Sequence, residues 1–565
     1  MAWGEKLNSK KGLTGLWKFE HDASNSCGEP LPALSKSVVF GERGPAPDMS
    51  AARFNGESSV IEIAPRPVLS FGKKNFTISC WIHTEESAKG GDVIGDIVSC
   101  FDPAGMRGFN LSVVTNGGVT RTAQANYRHL HFGIDQGRSH GLEDCGRPGE
   151  AVLPNALASI EGELYAGTLE NEPDRTGHLY RFAGNKEWED LGTPPDRSNC
   201  VGGIARFEGK LYVASSRHQT TGSLLGQPKN INPGGHVYRI DDNGKWTDCG
   251  NPGIDSAVPE DANSTIGNGN GKADATGSLT VYRGRLYCAS ANQKGVFVYE
   301  GKNNWRNIGP ESRVFSLIIY RDRLYMLANG GVRPEHGGAL YRHEKDGIWE
   351  FCGRPGKSTQ TYGAVIYAGN LYAGTWPDGE VHLYRGETRW ENLGWLGYAR
   401  EVMAMALYNG KFYAGSLPMA NIWRYDGEKR FTFVGNVDNS EVVLRRAWSM
   451  AVYRGALYIG TLPSGHVKRY RAGIMATSDC SLPAGWHHIA ATRGDSQLKI
   501  YLDGRCISES EHFNSDDYDL STGNPLKIGF GQHEHFRGLM ADLRIYSECL
   551  APEHINNILY ETKTA

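Results

Sequence analysis

A chain of 565 residues is long enough for two or more domains at roughly 150 residues each. Its formal net charge of -3 excludes nucleic acid as a bulk electrostatic partner, and a mean hydropathy of -0.45, with no apolar run near the ~18–20 residues of a membrane span, excludes a spanning helix. With 72 Gly, 26 Tyr, 13 Trp and many short alternating runs, the composition points to an all-β protein rich in tight turns, and eleven Cys over this length make no dense disulfide framework.

The chain opens MAWGEKLNSKK, which lacks the apolar core of a secretion signal. The expectation is a secreted or periplasmic protein whose signal is absent from this chain, with a cytoplasmic one as the alternative. Three strand-like phrases follow: GLTGLWKFE, ARFNGESSVIEIAP and KNFTISCWIHTE. Residues 141–146 then read GLEDCG, which looks like the end of a repeat that has not yet begun.

The repeat runs from about 150 to 472. An apolar strand reaches a two-residue turn, and a second strand carries Leu-Tyr or Phe-Tyr: IEGELYAGT, FEGKLYVAS, YRGRLYCAS, YRDRLYMLA, YAGNLYAGT, YNGKFYAGS and YRGALYIGT. The turn is x-G in all copies but one, the chemistry of a hairpin that needs positive φ. A third strand ends in Tyr (GHLYR, GHVYR, GVFVY, GALYR, VHLYR, NIWRY, HVKRY). A fourth reads WEDLG, WTDCG, WRNIG, WEFCG, WENLG or the variant FTFVG. Four strands per repeat is the mark of a β-propeller. The last copy has no fourth strand, and GLEDCG supplies it, with Leu142 in the Trp position. The N-terminal strand then closes the ring and removes its exposed sheet edges, so seven blades are expected. Cys145, Cys249 and Cys352 share the slot that other copies fill with Leu, Ile or Val, and read as small buried hydrophobes.

After the repeats come GWHHIAATRGDSQLKIYLDGRCI and PLKIGFGQHEHFRGLMADLRIYSECLAPEHINNILYE. With the N-terminal phrases, these resemble the laminin-G/concanavalin-A-like jelly roll, in the right order. The expected fold is all-β: a β-sandwich (jelly roll) with a seven-bladed β-propeller inserted in one hairpin. Residues 1–136 and 474–565 form the two parts of the jelly roll and 137–473 the propeller. Insertion is tolerated where chain ends lie close at the surface, and a closed ring brings its own ends together. The jelly-roll cysteines (Cys27, Cys80, Cys100, Cys480, Cys506, Cys549) can pair in an oxidising compartment, in a pattern the sequence does not reveal.

The long segments 170–176, 217–235, 251–277 and 329–338 all join strands on one face of the ring, and long loops on one rim of a rigid scaffold mark a site. His178, His236, His382 and His466 recur at the start of the third strand and read as structural; His218 and His336 break the pattern. At the starts of the inner strands lie Asn155, Asn199, Asp274, Arg313, Tyr362, Arg400, Glu401, Arg445, Arg446 and Trp448. Arginine offers a planar fork that matches a carboxylate or sulfate. Trp448, Trp376 and Tyr362 offer faces for sugar rings.

This mouth is similar in architecture to the propeller polysaccharide lyases and rhamnosidase-like hydrolases. The sialidase box S-x-D-x-G-x-x-W is absent. The favoured function is β-elimination on an acidic, uronate-containing polysaccharide or oligosaccharide. Tyr362, His218, Arg400 and Arg445 are its catalytic candidates. Arg313, Arg446, Arg217, His336, Trp448, Trp376, Asn155, Asp274 and Glu401 would bind substrate. One alternative is a glycoside hydrolase using two carboxylates among Glu170, Asp274, Glu335, Asp378 and Glu401, ~5–9.5 Å apart. The other is a non-catalytic glycan- or protein-binding module. No cofactor motif is evident. A structural Ca2+ held by NSDDYD (514–519) is one reading of that segment, a solvated loop the other.

Overall fold

The computed structural model describes residues 11–86, 95–115, 127–172, 174–218, 225–226, 229–252, 275–290, 295–310, 312–331 and 337–563. The fold is all-β; among the described residues the one α-helix is Pro552–Lys563. The described chain divides into two compact units. One holds residues up to Thr115, Tyr127–His140 and Arg471 onward, and the other Gly141–Tyr470.

In the first unit, the two ends of the chain share their sheets. Phe76–Thr84 pairs with Gly485–Arg493 without a break, from Thr84 opposite Gly485 to Phe76 opposite Arg493. Its other edge takes Arg537–Tyr546, which also pairs with Ser50–Asn55 and Leu13–Trp17. A second layer orders Ala33–Lys36, Val60–Ile63, Leu526–Ile528, Gly95–Asp102, Arg107–Val114 and the strand that begins at His129. Alternation along these strands sends Ile78, Cys80 and Ile82 and, from the facing layer, Leu111, Val113, Phe132 and Ile134 into one apolar core around Trp17. The helix buries Ile555 and Ile558 against Ala490, Tyr501 and Tyr546. All eleven cysteines of the chain are free.

The second unit is propeller-like. Four separate four-stranded antiparallel sheets begin at Thr276–Tyr282, Ser312–Tyr320, Ala364–Tyr367 and Glu401–Tyr408. The first two repeats, starting at Leu153–Ile160 and Cys200–Phe207, lie in one eight-stranded sheet, joined by the single pair Leu169–Cys200. Each turn between first and second strands places both central residues at positive φ, as in Glu161–Gly162 and Ala368–Gly369. In the copy without glycine, Arg321 and Asp322 take φ values of 49° and 54°, a conformation Asp tolerates better than most residues.

Two repeated hydrogen bonds join neighbouring repeats. The fourth-strand indole reaches back to the preceding repeat's slot carbonyl: Trp246 to Leu191, Trp305 to Cys249, Trp349 to Ile308 and Trp390 to Cys352. The tyrosine ending a first strand reaches forward to the next turn: Tyr320 to Gly369 and Tyr408 to Gly455. The same two bonds link the last repeat to the first. Trp188 donates to the Cys145 carbonyl at 3.0 Å, and Tyr453 to that of Gly162 at 3.1 Å. GLEDCG is thus held as a fourth strand: Cys145 N–H bonds Val467 O, and Val467 N–H bonds Gly146 O. Leu142 packs close beside Gly435 of the preceding sheet. Cys145, Cys249 and Cys352 are buried in their slots.

The third-strand histidines act as cross-strand pins. His178 meets Asp190 at 3.0 Å, His236 meets Asp248 at 3.1 Å and His466 meets Asp144 at 2.9 Å. Asp144 belongs to GLEDCG, so the segment carries the fourth strand's carboxylate as well. His382 uses Glu380 instead, where the fourth strand has Asn392.

Candidate functional site

The inner strands of the ring unit bring a buried polar cluster together. Arg313 lies near the start of Ser312–Tyr320 and is 7% exposed; its Nη2 donates to Gln360 Oε1 at 3.0 Å. The Tyr362 hydroxyl donates to the same Gln360 oxygen and lies near enough to Arg313 and Glu401 to influence the charge of both. Glu401, the first residue of Glu401–Tyr408, faces Arg446, the first residue of the next inner strand, at 3.5 Å. Aromatic rings support the charges. Tyr362 stacks on Phe315 at 4.9 Å, and the Arg313 guanidinium lies 4.5 Å from that ring's centre. Arg446 lies over Trp448 at 6.0 Å, and the His218 ring meets Trp448 edge-on at 5.9 Å. Trp448 packs in an apolar cluster with Met403, Cys200 and Leu462, against which Tyr362 also rests.

Burial sets the electrostatics. It pushes the Glu401 carboxyl above the usual carboxylate range, against the pull of Arg446, Tyr362 and Arg313. It lowers Arg313, against the support of Tyr362 and Glu401. Glu401 therefore takes a proton more readily than a surface glutamate.

The expected site residues divide. Tyr362, Arg313, Glu401, Arg446, Trp448 and His218 come together. Asn155 is buried and structural in position, donating to the Val201 carbonyl of the next repeat. Asn199 brackets the His218 backbone, accepting from its N–H and donating to its carbonyl at 2.8 Å each, and so fixes where the histidine stands. Arg400 is exposed, and Arg445 turns away to the Ser440 carbonyl and the Met419 sulfur. Neither joins the cluster, because each precedes by one residue the strand position that faces inward. Arg217 is half-buried and reaches the Ile231 carbonyl. Trp376 is half-buried, its backbone paired with Gln360. Trp448 is 5% exposed and lies against His218 and Arg446, which are buried to a similar degree. Asp274, His336 and Glu335 lie outside the described residues. Of the other acids, Glu170 is buried 3.9 Å from Arg175, and Asp378 is exposed.

Sequence reasoning missed Gln360. The signal was its position two residues before Tyr362, which puts both on the same side of an extended chain. In the jelly-roll unit, the acids of 514–519 are engaged: Asp517 with Arg138, Asp516 with Lys73 and Asp519 with the Ser521 amide. Among the described residues no group of three or more His, Cys, Asp or Glu is arranged to hold a metal ion, and no helix is long and apolar enough to cross a membrane.

Residues 426–556 match the family model of the concanavalin A-like lectin/glucanases superfamily, laminin G type. No curated protein matches the chain. Among solved structures, a streptogramin B lyase is similar at 9% identity and a TM-score of 0.41, over 59% of this chain and 97% of that one. A catalytically inactive virginiamycin B lyase from Staphylococcus aureus with quinupristin gives 9% and 0.40, over 58% and 98%. The WD40 β-propeller domain of Doa1 gives 10% and 0.39, over 59% and 97%.

Proposed function

We propose that this protein acts on an acidic, uronate-containing polysaccharide by β-elimination at the mouth of a seven-bladed ring, carried between the two parts of a concanavalin A-like sandwich (1–136 and 474–565). The observation that carries the reading is the position of the Tyr362 hydroxyl, near buried Arg313 and the Glu401–Arg446 pair. The reading of seven blades is supported by the seven copies and by the bonds of Trp188 and Tyr453 between last and first.

Elimination needs the carbon acid next to a carboxylate to be made more acidic. Arg446 and Arg313 neutralise the uronate carboxylate. The Tyr362 oxygen, once deprotonated, takes the C5 proton. The C5–H electron pair becomes the C4=C5 double bond, and the C4–O bond breaks. The departing oxygen receives a proton from His218. Each part is ordinary acid–base and electrostatic catalysis. Arg400 and Arg445 have no place in this step.

The test is absorbance near 235 nm on mixing with a panel of acidic polysaccharides, alongside a reducing-end assay. A rise that Tyr362→Phe abolishes and His218→Ala slows supports elimination. Reducing ends without absorbance would replace it by hydrolysis, and silence in both by a binding module. The binding reading has its own support in the concanavalin A-like match over 426–556. The hydrolase reading needs a second carboxylate beside Glu401.

A further inference from the structure

Trp395 and Tyr398 stand outside the repeat pattern. Trp395 ends the strand Trp390–Trp395 and is 66% exposed; Tyr398, three residues on, is 101% exposed. Two large rings left in water contribute nothing to the core, yet the segment that carries them is closely held. The Trp395 indole donates to Glu380 Oε1 at 2.9 Å, an oxygen that Asn392 also bonds. Leu396 N–H bonds the Gly379 carbonyl, and Ala399 N–H bonds Leu396 O, closing a turn with Tyr398 near its tip. Gly397 takes φ of +59° beneath the Trp423 ring, where a Cβ would come within 2.7 Å. The backbone that carries the pair is therefore set in advance, which lowers the ordering cost of binding relative to a mobile loop.

Arg400 follows on the same segment, exposed, with its amide anchored to the Leu417 carbonyl. Glu401, the next residue, points inward to Arg446. The exposed segment is thus continuous in sequence with the buried cluster, and alternation separates an outer arginine from an inner glutamate.

We propose that Trp395, Tyr398 and Arg400 form a surface subsite for one sugar unit of an acidic glycan chain. The rings stack on the C–H face of a pyranose, and the guanidinium pairs with its carboxylate. The proposal rests on the reading above that the ligand is uronate-containing. It adds a rim contact that holds the chain outside the reacting residues and assigns Arg400 to binding.

The full chain is titrated with polygalacturonate and with a neutral glucan, by affinity electrophoresis, for the wild type, Trp395→Ala, Tyr398→Ala and Arg400→Glu. The expected result is at least tenfold weaker polygalacturonate binding in each variant, equivalent to about 1.4 kcal/mol, with unchanged melting temperature in Tyr398→Ala. Wild-type affinity in Tyr398→Ala and Arg400→Glu would overturn the proposal, as would no polygalacturonate binding by the wild type. Equal binding of the neutral glucan, insensitive to Arg400→Glu, would overturn its acidic specificity. If no unsaturated product forms but binding depends on Tyr398 and Arg400, the elimination reading fails and the subsite stands. If product forms and the three variants bind as the wild type does, the subsite fails and elimination stands.

Discussion

Replacing Arg446 by Met keeps most of the side chain's length over Trp448 and removes the charge facing Glu401. The pair is 3.5 Å apart, with both residues less than a tenth exposed. At an effective dielectric of about 20, that separation corresponds to about 5 kcal/mol of attraction. The loss is capped, however, because Glu401 can take a proton instead of remaining as an uncompensated charge. From the ordinary value of 4.5, protonation costs about 1.4 kcal/mol per pH unit, so the ceiling is about 4 kcal/mol at pH 7.5 and below 1 kcal/mol at pH 5. The sign follows from the direction of the shift. Glu401 is raised in the folded protein, so its folded state binds the extra proton. Stability is greatest below the unfolded value and falls as pH rises through the folded one. Removing Arg446 raises Glu401 further and extends that fall to higher pH. Urea unfolding followed by tryptophan fluorescence should show Arg446→Met destabilised by about 3 kcal/mol at pH 7.5 and scarcely at pH 5. Adding Glu401→Gln should restore most of the loss at pH 7.5. A penalty that does not change with pH, or that Glu401→Gln does not relieve, would refute the assignment of a buried, mutually dependent pair.

Other expectations concern the frame. Tyr453→Phe removes the bond to the Gly162 carbonyl between last and first repeats; it should cost about 1–3 kcal/mol in the same assay, and Tyr408→Phe, which removes the equivalent bond to Gly455, should cost the same. A much smaller effect at Tyr453 would mean that the ring is not closed there. The jelly-roll unit should be acid-labile. Burial lowers His129 to about 3 and His488 to about 4, so each contributes stability that is complete above the ordinary histidine value and lost as pH falls toward the folded one. His488, bonded to Ser79, accounts for about 3 kcal/mol of this. Thermal melts between pH 7 and 4 should show the loss, and His488→Gln should remove its share of it.

The repeat was legible because its chemistry recurs: the x-G turn, the tyrosine after it and the slot residue before a glycine each mark a fixed backbone position. GLEDCG could be placed from Cys145 and Gly146 alone, and Asp144 then proved to carry the same pin as Asp190 and Asp248. The site was less legible. Arg400 and Glu401, or Arg445 and Arg446, are neighbours in sequence, and which member turns inward depends on strand register, which composition does not carry. Trp448 looked like a stacking face because an aromatic at an opening suits a sugar, but the apolar cluster of Met403, Cys200 and Leu462 covers it. Gln360 passed unnoticed because an uncharged amide among arginines has no signature until its partners are known.

The interleaving of the sandwich's strands also sets a timetable for its synthesis. Ser79 and His488, bonded in the finished protein, are 409 positions apart. At about 5–20 residues per second on the ribosome, Phe76–Thr84 waits on the order of 20–80 s before either of its sheet partners exists. During that interval a nine-residue strand with eight buried positions in its final state has both edges open to pairing with another nascent chain. Within the same interval the ring unit gains successive sheets, while its last waits for residue 467 to meet residue 145. The long separation of the sandwich's two parts thus leaves Phe76–Thr84, made early, among the last of its strands to find partners.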